Sequence, residues 1–221
     1  MTRGWWATHE YSRRSVSRDI EEFPGWATLL RLVDACETGL ERAFIASLFS
    51  CGSRVSEALQ LCGHHFEVAS DEGLLIVRGA PLLKRYKKLE MEPGGGWVTM
   101  PVDAVRRSFP VLLAEPLAPF VASWVKEADG FLFPSPRNRG CPLSRFWAYK
   151  LITRLGEAVG VECWPHAFRG WRASQLVSDY GFEVMDLVDF FSWEKSDMAL
   201  HYSRRGAWGL ARKMKPLPRY I

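Results

Sequence analysis

The chain has 221 residues, of which 48% are apolar and 24% charged, with a formal net charge of +4. That length and apolar content suit one globular domain with small appendages and exclude a disordered chain. No apolar run of some 18 residues is present and the N-terminus has no apolar core of signal-peptide length, so neither a membrane span nor secretion is expected.

In chain order, residues 1–22 are polar and basic with little periodicity and read as a loose lead-in. Leu29, Leu30, Leu32 and Val33 recur at helical spacing and predict a helix over 26–36, and a second is expected over 40–50. Cys51-Gly52-Ser53 then breaks the chain, and Ser53 is the N-cap candidate for a helix over 54–61. Residues 73–79 (GLLIVRG) read as a strand, with further strands over 82–89 and 97–101 around the turn Pro93-Gly94-Gly95-Gly96. Helices are expected at 103–113 and 117–128, separated by Glu115-Pro116, followed by a strand end and loop over 131–142. Further helices are expected at about 143–159, 166–180, 183–191, 196–203 and 206–213. The expected fold class is α+β, mostly helical, with one small antiparallel sheet.

The charge is uneven. Residues 130–221 carry 14 basic and 8 acidic side chains, net +6, while residues 1–129 are net −2. Arg78–Lys88 holds five basic residues and no acid, and Arg204–Arg219 holds six and no acid. Such runs can bind a polyanion, although on charge alone a solvated basic surface explains them as well. The five cysteines (Cys36, Cys51, Cys62, Cys141, Cys163) are scattered without a CxxC pair, which fits free thiols in a reducing cytoplasm. Cys62, His64 and His65 are too close together, with no distal partner pair, to make a strong metal signature. No metal or other cofactor is expected.

Four features carry chemistry. His166 and Arg169 are three apart on one helix face, just after Pro165, where a helix start offers N–H groups to an anion. Arg54 follows the 51–53 break, and an arginine fork holds two phosphate oxygens in fixed geometry. Glu57, three residues on, can orient that guanidinium. The basic segment Lys84, Arg85, Lys87, Lys88 offers a lysine able to donate a proton to a leaving oxygen. Lys84 is best anchored, at the end of the apolar run, with Lys87 and Lys88 as alternatives. Trp193 and Tyr202 flank a short helix, and an indole N–H can donate to a phosphate oxygen. Taken singly, each of these residues is more often a capping, surface or core residue.

Taken together they resemble a family. FSCGSRVSEALQL (49–61), HAFRGWRASQLVSDYG (166–181) and FFSWEKSDMALHY (190–202) resemble, in order, the boxes of the tyrosine recombinases, or phage integrases. FLFPSPRNRGCPLS (131–144) is similar to that family's lead-in to its next helix, and the resemblance covers roughly 25–213. Trp193 stands where the family most often has histidine, a variant that occurs in active members. Gly170 stands where histidine is frequent.

The resemblance implies a catalytic domain over 23–203, followed by a basic tail over 204–221. It implies site-specific cleavage and rejoining of double-stranded DNA through a 3′-phosphotyrosine, without metal or ATP. Tyr202 would be the nucleophile, Arg54, Arg169, His166 and Trp193 the phosphate ligands, and Lys84 the general acid. Arg85, Lys87, Lys88, Arg172, Arg204 and Arg205 would contact DNA. Family members usually carry a further helical domain of about 100 residues before the catalytic one, and only about two dozen residues precede it here. The expected assembly is a homotetramer on DNA and a monomer or weak oligomer when free, in the cytoplasm, nucleoid-associated or viral within a host cell. A type IB topoisomerase-like enzyme and a non-catalytic DNA-binding regulator are the competing expectations.

Overall fold

A computed structural model of the chain describes residues 22–82, 88–91, 97–100, 106–138 and 140–203. The elements run α1 (Trp26–Asp34), α2 (Gly39–Ser50), α3 (Val55–Ala58), β1 (Phe66–Ala69), β2 (Leu74–Pro81), β3 (Lys88–Met91), β4 (Trp97–Met100), β5 (Arg106–Leu112), α4 (Ala118–Lys126), α5 (Arg145–Val159), α6 (Pro165–Tyr180), α7 (Val184–Phe191) and α8 (Asp197–Ser203). The domain is mostly helical with a small antiparallel sheet, as the sequence implies.

Helix α2 is the centre. Every residue from Ala43 to Ser50 is buried, the pattern of a helix enclosed on all sides rather than amphipathic. It packs against α1, α4 and α6. Thr38 caps it by accepting the Glu41 N–H at 3.2 Å. Phe44 meets Phe133 and Trp147 edge-on at 5.2 and 5.1 Å, tying α2 to α5 and to the loop before it through aromatic geometry. Among the described residues, no helix is long and apolar enough to cross a membrane.

The main sheet has the order β1-β2-β5 and is antiparallel throughout, and β3 and β4 form a separate antiparallel pair. Strand β5 corrects the expected helix over 103–113. Arg107, Phe109 and Val111 are buried while Ser108, Pro110 and Leu112 face out, a period of two that only a strand produces. Pro110 is tolerated because β5 is an edge strand of the described sheet.

The helix expected over 54–61 is also shorter, covering only Val55–Ala58 with Arg54 in the cap position. Ser53 does not cap it. Its hydroxyl accepts instead from Arg107 Nη2 at 2.6 Å.

Candidate phosphate-binding site

Where the chain leaves α2, the turn at Gly52 has φ +54°, and a Cβ there would lie 2.5 Å from the Phe191 ring. Only glycine permits that approach, which seats the 51–53 loop on the end of α7. The next residue, Arg54, is extended at the threshold of α3. Glu57, 1% exposed, accepts both the Arg54 backbone N–H and Arg54 Nη1, each at 2.9 Å. The carboxylate therefore fixes chain and guanidinium together, and leaves the arginine side chain 42% exposed. That arginine faces a cleft of about 940 Å³ lined also by Glu57, Arg145, His166, Trp193 and Lys195.

Helix α6 brings His166 and Arg169 to the same place. Pro165 opens the helix, His166 faces the cleft, and Arg169 lies beneath it, 2% exposed. Arg169 Nη1 donates to Gly52 O at 2.7 Å and Nη2 to Phe191 O at 3.5 Å. Its guanidinium sits 4.6 Å over the Phe191 ring and 5.6 Å over that of Trp193. Burial, then the charges of Arg107 and Arg54, push Arg169 down to about 9, still a cation at neutral pH. Burial, then the charges of Arg169 and Arg54, hold His166 below the usual histidine value of 6.5, which favours the neutral ring.

Ser192 ends α7 in the left-handed region (φ 49°), a conformation that costs a non-glycine residue about 1–2 kcal/mol. The turn directs Trp193 back over the site. Its ring lies nearly parallel to Phe191 (4.6 Å, 18°) and to Tyr202 (5.9 Å, 11°). Tyr202 on α8 is 7% exposed. Arg54, His166, Arg169, Trp193 and Tyr202, far apart in sequence, thus gather around one cleft and the wall behind it.

One expected DNA contact is corrected. Arg172 is 1% exposed and points away from solvent. Its Nη1 donates to both Glu115 oxygens at 2.7 and 2.8 Å and to Gln175 Oε1 at 2.9 Å. An arginine one turn beyond Arg169 faces inward, where Glu115 neutralises it. Lys84, Arg85, Lys87, Arg204 and Arg205 lie outside the described residues. So does the Lys88 side chain, although its backbone opens β3 opposite Met100.

Sequence reasoning missed Arg107, Arg145 and Lys195. Arg145 and Lys195 line the cleft. Arg107 could be found only from its alternation with Phe109 and Val111. Cys62, His64 and His65 do place their donor atoms within 4.8 Å of one another. His65 Nδ1, however, accepts the Cys62 backbone N–H at 3.0 Å, which engages that nitrogen in a short 3₁₀ turn rather than leaving it to a cation.

Comparison of the sequence with known families and with curated proteins finds no match. Solved structures do match. The XerH site-specific recombinase bound to difH substrate, a pre-cleavage complex, superposes with a TM-score of 0.59 at 16% identity, over 86% of this chain and 54% of that one. The XerA recombinase gives 0.56 at 18% identity over 86% and 61%. The integrase from mycobacterium phage Brujita gives 0.53 at 16% identity over 86% and 62%. The chain therefore spans 54–62% of the length of these proteins. At such identities the likeness is one of architecture, and this chain has the fold of the tyrosine recombinases and integrases.

Proposed function

We propose that the chain is a tyrosine-type site-specific DNA recombinase or integrase, with residues 23–203 as its catalytic unit. The observation that carries this reading is the charge balance of the site. Two buried arginines, Arg107 and Arg169, donate only to backbone and hydroxyl oxygens among the described residues, while the buried carboxylate of Glu57 is engaged by Arg54. Burying cations without partners is costly, and a DNA phosphate supplies the missing negative charge.

In the reaction, Arg54 and Arg169 hold the non-bridging oxygens of the scissile phosphate and offset the charge that develops on the phosphorane. His166 and the Trp193 indole add hydrogen bonds to the same group. Tyr202 Oη attacks phosphorus as the P–O5′ bond breaks, and its proton passes to water in the cleft. Lys84, or Lys87 or Lys88 in its place, protonates the departing 5′-oxygen. The products are a 3′-phosphotyrosine and a 5′-hydroxyl, and attack by a 5′-hydroxyl reverses the sequence without ATP or metal. Tyr202 is buried against Trp193, so cleavage requires the seven-residue helix α8 to shift and turn the phenol toward the cleft. Four copies on two duplexes would exchange strands, and the work would be done in the cytoplasm, on the DNA of a host cell or virus. Arg85, Lys87, Lys88, Arg204 and Arg205 remain the proposed flanking phosphate contacts.

The test is a duplex carrying the cognate site, nicked next to the scissile phosphate so that cleavage cannot reverse. The expected result is a protein–DNA adduct that survives SDS and is absent in Tyr202→Phe. No adduct on any sequence flanking the gene would sink the enzymatic reading. Relaxation of any supercoiled plasmid, without site-confined exchange, would favour topoisomerase activity instead.

A further inference from the structure

Arg107 is an anomaly. It is 2% exposed on β5 and has no carboxylate in ion-pair contact among the described residues. Its Nη2 donates to Cys51 O and to Ser53 Oγ, both at 2.6 Å, and its Nη1 to Phe190 O at 3.3 Å. Its Nε is buried without a partner, and its guanidinium lies 4.4 Å over the Phe109 ring. A buried cation held only by neutral oxygens is expensive unless those contacts do something.

The contacts form a pattern. Arg107 joins the carbonyls of Cys51 and Phe190, and Arg169 joins those of the next residues, Gly52 and Phe191. Two arginines from different elements thus bridge the same two segments one residue apart. One segment leads directly into Arg54. The other leads, through the left-handed turn at Ser192, into Trp193. The segments touch so closely that a Cβ on Gly52 would overlap Phe191.

We propose that Arg107 is a positioning residue for the phosphate ligands: it clips the Arg54 loop to the end of α7, so that Arg169 can exchange its carbonyl contacts for a phosphate while Arg54 and Trp193 keep their spacing. The inference rests on the recombinase reading for its catalytic consequence. The clip itself is a property of the free protein. A planar fork reaching two carbonyls and a hydroxyl is the feature that matters, and lysine lacks it.

The experiment compares the wild type with R107M, R107K, S53A and the control V111A, a buried core residue of the same strand. Single-turnover adduct formation on the nicked duplex and DNA affinity are measured below the unfolding range of each variant. Expected is a fall in adduct rate on the order of 10–100-fold for R107M and R107K, since small misplacement of reacting groups costs that much. DNA affinity should stay within about threefold, as for a residue that acts after binding. S53A, which removes one acceptor and should fold, should slow the step by roughly 3–10-fold. V111A should leave the rate unchanged. R107K at wild-type rate would mean that charge, not the fork, matters, and would overturn the proposal, as would equal slowing by V111A. Hydrogen exchange provides an arm independent of chemistry. Backbone amides of 49–54 and of 188–194 should exchange faster together in R107M and R107K but not in V111A. Unchanged exchange in both segments overturns the clip even if the wild type cleaves DNA. Paired acceleration in a protein that forms no adduct supports the clip and rejects the recombinase reading alone.

Discussion

Replacing Arg172 with methionine separates a structural arginine from one proposed to bind DNA. In the wild type Glu115, 2% exposed in its side chain, receives Arg172 Nη1 on both oxygens and the Tyr180 hydroxyl at 2.8 Å. Methionine keeps most of the packing of Arg172 against Phe49 and Phe190, over whose rings it lies at 5.6 and 5.5 Å. It leaves the carboxylate buried with one phenol. Tyr180, pushed up to about 12 by burial and by Glu115, remains a donor but cannot neutralise the charge. Breaking a buried pair from one side costs about 3–5 kcal/mol, which in a domain of this size lowers Tm by roughly 6–20 °C. Thermal unfolding followed by circular dichroism measures it. Replacing both partners, E115M with R172M, should return stability to within about 2 kcal/mol of the parent. DNA binding by R172M should keep the parent's salt dependence, whereas R54M should lower the slope of log K against log salt by about 0.9, one phosphate contact. A stable R172M with a reduced slope would refute the burial argument.

Three further outcomes are expected. E57Q leaves an amide N–H₂ facing one of the two Arg54 donors, which should cost about 1.5–3 kcal/mol by urea unfolding and slow adduct formation on the order of 10–100-fold through misplacement of Arg54. G52A forces a Cβ against Phe191 at φ +54° and should lose about 1–3 kcal/mol from overpacking, with the rate falling in parallel; a loss below about 0.5 kcal/mol would contradict the close approach. His166 is held below 6.5 in the free protein, so below that pH the unfolded chain takes up a proton the folded one resists, and stability falls as pH drops through it. A bound phosphate reverses the balance by favouring imidazolium. DNA affinity should therefore rise as pH falls through the histidine range, with proton uptake measurable by calorimetry in buffers of different ionisation enthalpy and absent in H166N.

Much of this site was legible because its residues sit where local chemistry announces them. Pro165 marks the start of the helix carrying His166 and Arg169, and the Cys51-Gly52-Ser53 break marks the entry to Arg54. The helical stripe of Leu29, Leu32 and Val33 placed α1 within two residues of its observed end. What escaped was long-range. Residues 103–113 contain enough apolar and basic side chains to suit a helix, and only pairing with β2 makes the two-residue alternation decisive. Arg172 sits on the same helix as Arg169 and has the same chemistry. Its inward direction depends on Glu115, 57 positions away. Ser53 has the ideal chemistry for a helix cap, yet Arg107, 54 positions away, takes its hydroxyl. In each case a tertiary partner overrode a sound local rule.

The placement of charge explains why these arginines differ in accessibility. Arg54 stands at the cleft and is held by a carboxylate that it shares with its own backbone, so under the proposed function it would meet a phosphate first and already oriented. Arg169 and Arg107 lie behind it, donating to backbone carbonyls, which are weaker acceptors than a carboxylate or a phosphate. Weak acceptors are what a ligand-ready cation needs. A carboxylate opposite Arg169 would compete with DNA for the same fork, as Glu115 does completely for Arg172. The site therefore keeps its permanent counter-charge on the outer arginine, where it sets orientation, and withholds it from the inner ones, where a phosphate would complete the balance. Adding a carboxylate to the inner wall, as in S53D, should accordingly stabilise the free protein through Arg107 and weaken phosphate binding at once. Thermal unfolding and DNA titration on the same sample would show the two effects moving in opposite directions.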